Sequence, residues 1–311
     1  MGINKTFEEL FKDPTIKFTI ILGSGYHCEA LGNNSILSNW ELLLKRLDPK
    51  IKTTKFFPLD YEQIIINESL KSLDLDPEGK NSSQIEQRVA KILCHDLKCE
   101  QKKSLTFYKE RYPSMIFNPE KVSDIISLNF DTLAEELCCS ILSGNMPAES
   151  KKSIFNSSEN KRFEIPYLEV KSSTEKSIRF WYPHGSIHEP GLLKLGTREY
   201  SNHLIQVERL RKYSKMKEKN SSDIIDTSWY HQIIVNPVLI LGAELSNAEW
   251  DIWFALVNRE RNFSRKQEHK FQVFQMIGKR EKLGHKKGWI EPLFTEMDFR
   301  EQWEELEKLF V

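Results

Sequence analysis

Four short stretches of this chain combine residue types that could bind and activate a small polar ligand. Glycine is scarce, 13 in 311 residues, yet it punctuates three of the four. Gly23-Ser24-Gly25 would let the backbone approach a phosphate closely and aim amide N–H groups at it, or it is a plain tight turn. Asn129 and Asp131, in Ser127-Leu128-Asn129-Phe130-Asp131, set an amide and a carboxylate two residues apart. Such a pair can hold a ribose hydroxyl or a carboxamide; the plain alternative is a turn residue followed by a helix cap. His184, in Tyr182-Pro183-His184-Gly185-Ser186, stands beside a glycine and titrates near neutrality, as a general base should. A lone histidine is more often structural, and His27, His188, His203 and His231 show how little one proves. In Gly242-Ala243-Glu244-Leu245-Ser246, Glu244 could take ribose hydroxyls or be a solvent-facing turn acid.

These stretches need elements to position them. Each follows an apolar or aromatic run: Lys17 to Leu22, Ile125 to Leu128, Ile178 to Trp181 and Val238 to Leu241. Brief β-branched runs that stop at a turn read as buried strands. Ile178 to Trp181 and Phe271 to Met276 are the weaker strand candidates. Helical patterns separate the runs. Trp250, Trp253, Phe254 and Val257 fall at i, i+3, i+4, i+7 behind a Ser246/Glu249 capping box, and read as a core stripe. Asp131 or Thr132 can cap a helix carrying Leu133, Leu137 and Ile141, with Glu135 completing a second box. Phe299, Trp303, Leu306 and Phe310 form a C-terminal stripe. The expected fold is α/β: a Rossmann-like parallel sheet with helices on both faces, in a single domain over residues 1–311. About residues 35–121 read as a helical module inserted into it, because a loop of that length is implausible in a compact domain. Met146 to Lys161 and Arg209 to Ser222 read as surface excursions.

Taken in order, the GSG turn, N-x-D, H-G and the late G-x-x-x-S turn resemble the sirtuin family. The resemblance spans roughly residues 17–280 and rests on about fifteen of them. Leu128 stands where the family's second motif has glutamine. The four zinc cysteines of protein-deacylating sirtuins have no counterpart. The chain looks more like the zinc-free, sirtuin-like proteins of bacterial antiphage defence, which cleave and deplete NAD. That resemblance implies an NAD glycohydrolase releasing nicotinamide and ADP-ribose, with NAD as substrate and no metal. It implies catalytic roles for His184, Asn129 and Asp131. Gly23, Ser24, Gly25 and Tyr26 would bind the cofactor at its pyrophosphate, with Gly185, Ser186, Gly242, Glu244 and Ser246 completing the binding set. An enzyme that destroys NAD must be gated. The expected partners are therefore further copies of the chain or a separately encoded sensor protein, of the nucleotide-pyrophosphatase-like kind. Two other readings compete: a catalytically silent nucleotide-binding sensor or scaffold, and an NAD-dependent protein deacylase.

Composition excludes broader classes. Forty-five Lys+Arg balance 45 Asp+Glu, which removes the basic excess that nucleic-acid or anionic-membrane binding needs. The basic run RLRKYSKMKEK at Arg209 to Lys219 therefore reads as a solvated helix or loop. No stretch reaches about 18 uncharged apolar residues, and the first residues carry acids and lysines where a secretory signal needs an apolar run. The expected location is the cytoplasm. Five cysteines at unpatterned spacings fit neither a disulfide framework nor a zinc ribbon. Cys94, His95 and Cys99 lack a matching second pair for a metal.

Overall fold

The apolar runs become strands because each can bury both of its faces. The computed structural model describes residues 2–32, 34–54, 56–73, 82–111, 114–143, 147–156, 162–217, 228–245, 249–263, 272–276, 290–295, 297 and 299–310. The first half holds β1 (Gly2–Ile3), α1 (Lys5–Lys12), β2 (Phe18–Leu22), α2 (Gly25–Leu31), α3 (Trp40–Leu47), α4 (Phe57–Leu73), α5 (Ser82–Arg111), β3 (Val122–Ser127) and α6 (Leu133–Leu142). Then come β4 (Glu149–Asn156), β5 (Arg162–Lys171), β6 (Ser177–Trp181), α7 (Thr197–Lys217), α8 (Trp229–Val235) and β7 (Val238–Leu241). The last are α9 (Trp250–Phe263), β8 (Val273–Gln275), β9 (Ile290–Pro292), β10 (Phe294–Thr295) and α10 (Phe299–Phe310).

Eight strands form one sheet in the order β4-β5-β6-β3-β2-β7-β8-β9. The six from β6 to β9 are parallel. Numbered among themselves in chain order, those six read 3-2-1-4-5-6, the doubly wound Rossmann-like arrangement. β5 runs antiparallel to β6, and β4 antiparallel to β5, so the sheet is mostly rather than wholly parallel. The central strand β2 shows why both faces are covered. Phe18, Ile20 and Leu22 join one core with Phe7, Ile64, Leu93, Leu133 and Trp303. Ile21 joins another with Val207, Ile233, Ile252 and Ala255. Side chains of alternate sign of pleat thus meet α1, α4, α5, α6 and α10 on one side, and α7, α8 and α9 on the other.

The chain between β2 and β3 is helical, α2 to α5, and it packs onto the sheet rather than standing apart. Gln101 of α5 reaches Thr132: its Nε2 donates to the hydroxyl at 2.9 Å and its Oε1 accepts from the Thr132 amide at 3.0 Å. Thr132 therefore makes no side-chain cap bond, and Asp131 Oδ1 accepts from the Leu133 amide instead, at 3.1 Å. Among the described residues no helix is long and apolar enough to cross a membrane.

Three local expectations fail. Within the segment from Met146 to Lys161, Glu149–Asn156 is not an excursion but strand β4, paired with β5 along its length; Met146 and 157–161 lie outside the described residues. The segment from Arg209 continues α7 to Lys217, with Leu210 in the core; 218–222 lie outside the described residues. The stripe on α9 faces the wrong way. Trp250 is 58% exposed and Phe254 37%, while Asp251, Ile252, Ala255, Leu256 and Arg259 are buried. Turning this helix by one residue hides a carboxylate and exposes a tryptophan, which only a buried partner for Asp251 can justify.

Candidate functional site

Two glycine turns lock together at the C-terminal ends of β2 and β7. The Gly23 amide donates to the Leu241 carbonyl at 3.0 Å and the Gly25 amide to the Gly242 carbonyl at 2.7 Å. A Cβ on Gly23 or Gly25 would stand 2.5 or 2.7 Å from the Gly242 oxygen, and one on Gly242 would stand 2.0 Å from the Tyr26 nitrogen. Gly242 also has φ +63°, a left-handed conformation that glycine adopts without strain. The next two amides are taken as well: Tyr26 donates to Gly23 and His27 to Ser24, each at 3.0 Å. Of the expected phosphate cradle of backbone amides at Gly23, Ser24 and Gly25, the two glycine amides are engaged within the fold. The glycines allow two backbones to cross. Ser24, at the N-cap of α2 with no side-chain cap bond, is the polar group this turn gives the cavity beside it.

That cavity is a cleft of about 380 Å³ at the ends of the parallel strands, above the point where strand order reverses between β2 and β7. Open α/β sheets bind ligands at this switch point. Gly23, Ser24, Asn129, His184, Gly242 and Glu244 all line it. The inserted helices supply the opposite wall: Trp40 packs 4.9 Å from Phe130 and 4.7 Å from Phe57, ring centre to ring centre, and all three line the cleft. An aromatic wall of this kind suits a flat heterocycle. The β3 and β6 turns are joined directly, as Ile187 donates its amide to the Phe130 carbonyl at 2.8 Å.

Asn129 is 4% exposed, and among the described residues its carboxamide oxygen has no hydrogen-bond partner. An orphaned buried acceptor costs about 1–3 kcal/mol. Its amide nitrogen lies 3.1 Å from His27 Nε2, which in turn lies 3.0 Å from Asp131 Oδ2. Asp131 does not line the cleft: it caps α6 and lies against the same His27 nitrogen that the Asn129 amide faces.

His184 is tied from behind. Its Nε2 lies 3.2 Å from Asp251 Oδ2, and His203 Nε2 lies 3.0 Å from the same oxygen. Tyr200 donates to the other Asp251 oxygen at 3.4 Å and accepts from the Trp250 amide at 2.9 Å. Burial alone would lower the His184 pKa, but the Asp251 charge and hydrogen bond, with the Leu128 backbone, outweigh it and hold the pKa above the ordinary value. Burial would raise the Asp251 carboxyl, and the two imidazoles more than reverse this, keeping it far below the usual carboxylate range. His184, His203 and Asp251 are also three buried groups close enough together to hold a metal ion, although hydrogen bonds already satisfy the carboxylate.

The other expected site residues sit elsewhere. Tyr26 is fully buried against Trp303, 5.7 Å between ring centres, and belongs to the core. Gly185 and Ser186 line a neighbouring cavity of about 150 Å³. Gly185 has φ +84°, and a Cβ there would meet the Leu192 carbonyl oxygen at 2.5 Å, so the turn itself demands glycine. Ser246, and with it the Ser246/Glu249 capping box, lies outside the described residues. Sequence reasoning missed Asp251, Tyr200, His203 and Lys194. None of the four left a local signal, since the apolar spacing on α9 favoured the face of Trp250 and Phe254 over that of Asp251 and Ile252. The chain matches no protein-family model and no curated protein.

Proposed function

We propose that this protein is a metal-independent NAD glycohydrolase that releases nicotinamide and ADP-ribose. The observation that carries the reading is that the Asn129 side chain, whose buried oxygen has no hydrogen-bond partner among the described residues, lines the same switch-point cleft as His184. Asn129 would accept from a hydroxyl of the nicotinamide ribose or from the attacking water. His184, neutral with its Nε2–H on Asp251, would turn Nδ1 from the Leu128 carbonyl and take the water's proton on that nitrogen as the new O–C1′ bond forms. The C1′–N bond breaks and its electron pair leaves with nicotinamide. Nicotinamide departs from a cationic pyridinium, so neither an acid nor a metal is needed. Asp251 would keep the imidazole oriented and stabilise the imidazolium that results. Trp40, Phe57 and Phe130 offer a surface for a ring, and Ser24, Gly242 and Glu244 would face the remainder of the dinucleotide.

Nicotinamide release followed by chromatography tests this. His184→Ala is expected to slow release about 10²–10⁴-fold, the usual worth of a general base. A His184→Ala protein as fast as wild type would sink the assignment. The resemblance to antiphage sirtuin-like proteins supports a role in defence by NAD depletion in the cytoplasm, gated by self-assembly or by a separate sensor protein. A second reading, a nucleotide-binding subunit without turnover, is favoured by the firm hold of Asp251 and the Leu128 backbone on His184. Titration calorimetry showing NAD binding without nicotinamide release would select it.

A further inference from the structure

The geometry points to Lys194 as the anchor for the phosphate groups of a nucleotide bound in the switch-point cleft. Only the identity of that nucleotide rests on the NAD reading. A dinucleotide brings two negative charges into this space, and in the turn that would ordinarily receive them the amides of Gly23, Gly25, Tyr26 and His27 are engaged, which leaves only that of Ser24. Gly23 and Gly25 donate to Leu241 and Gly242, and Tyr26 and His27 donate back into their own turn. The acids along the cleft cannot help an anion. Glu41 is paired with Lys45 at 2.6 Å, and Asp60 accepts from the Thr54 hydroxyl and amide at 2.7 and 2.8 Å. Glu244 is exposed at the rim, and Glu249, the fourth acid of the lining, is half-buried. Among the described residues lining the cleft, Lys194 is the one lysine or arginine.

Its position is fixed by the catalytic turn, because the Lys194 amide donates to the His184 carbonyl at 2.8 Å. The side chain is half-buried, and among the described residues no carboxylate forms an ion pair with it; Glu199 acts only through space. Burial consequently pushes its pKa down. A partly desolvated ammonium without a counter-ion, facing a cleft large enough for a nucleotide, is completed by an anionic ligand.

Titration calorimetry on the full chain tests this with ADP-ribose, inorganic pyrophosphate and adenosine, using wild type, Lys194→Gln and Lys194→Arg. Lys194→Gln should weaken ADP-ribose and pyrophosphate about tenfold to a hundredfold, the range for hydrogen bonds to charged groups. Lys194→Arg should recover most of the loss, and adenosine should bind all three proteins alike. Unchanged affinity for ADP-ribose in Lys194→Gln overturns the proposal, as does an equal loss for adenosine, which would make Lys194 a residue that shapes the cleft. Failure of the wild type to bind any phosphorylated ligand overturns it too. If pyrophosphate binds through Lys194 while NAD is neither bound nor cleaved, the anchor stands and the NAD reading falls.

Discussion

Three side chains from distant parts of the chain share one carboxylate oxygen environment: His184 after β6, His203 and Tyr200 on α7, all on Asp251 of α9. Because Asp251 raises the His184 pKa, the neutral imidazole needed for base catalysis is reached only above the ordinary value near 6.5. The rising limb of kcat/KM against pH should therefore sit above that value in wild type and shift to lower pH in Asp251→Asn. An unmoved limb would separate Asp251 from the chemistry. Stability follows the same pair. The raised His184 pKa contributes stability at low pH that is lost as pH climbs through it, and the lowered Asp251 pKa contributes above about pH 4. Asp251→Ala should cost about 3–5 kcal/mol, since it leaves buried imidazoles without their partner. The difference in urea midpoints from wild type should be larger at pH 6 than at pH 9. None of this was visible locally, since His184 and Asp251 are 67 positions apart and no spacing rule joins them. His184 and Asn129 themselves were legible, because polar residues following an apolar run have one place to go in a parallel sheet.

At the scale of elements, legibility followed burial. β2 and β7 were readable because continuous apolar runs leave few other conformations, and β3, β6 and β8 because apolar or aromatic residues dominate them despite Asp124, Arg179 and Gln275. β4 was not, since ESKKSIFN mixes lysines with apolar residues as an antiparallel edge strand does, and that pattern imitates a loop. The misread face of α9 has a similar cause: tryptophan and phenylalanine outweigh Ile252 and Ala255 by hydrophobicity, but the buried Asp251 sets the rotation. The crossing of two glycine turns was half-read; the glycines were recognised as special, for phosphate rather than for each other. Gly242→Ala tests the crossing, with an expected loss of about 3 kcal/mol or more from strain and backbone clash. Gly191→Ala, where an added Cβ meets nothing within 4 Å, should stay within about 0.5 kcal/mol of wild type. Chemical denaturation of the two variants side by side would expose an error, for equal midpoints would mean that the turns do not press on each other.

Over the whole molecule, one sheet with two covered faces leaves its strand ends as the natural place for a ligand, and the inserted helices turn that edge into a cleft. Trp250 and Phe254 remain as an exposed aromatic pair on α9, beside the carboxylate that holds the His184 imidazole. If activity is gated by assembly, light scattering should find more than one chain per particle. A fully active monomer without additions would remove the gating idea. The central claim concerns where the dinucleotide lies, and a crystal structure of the protein soaked with NAD or ADP-ribose addresses it most directly. The ribose that carries nicotinamide should lie within hydrogen-bond reach of the Asn129 oxygen, with the His184 imidazole beside C1′. A ligand seated away from the ends of β2, β3 and β7, leaving that oxygen unpartnered, would contradict the account.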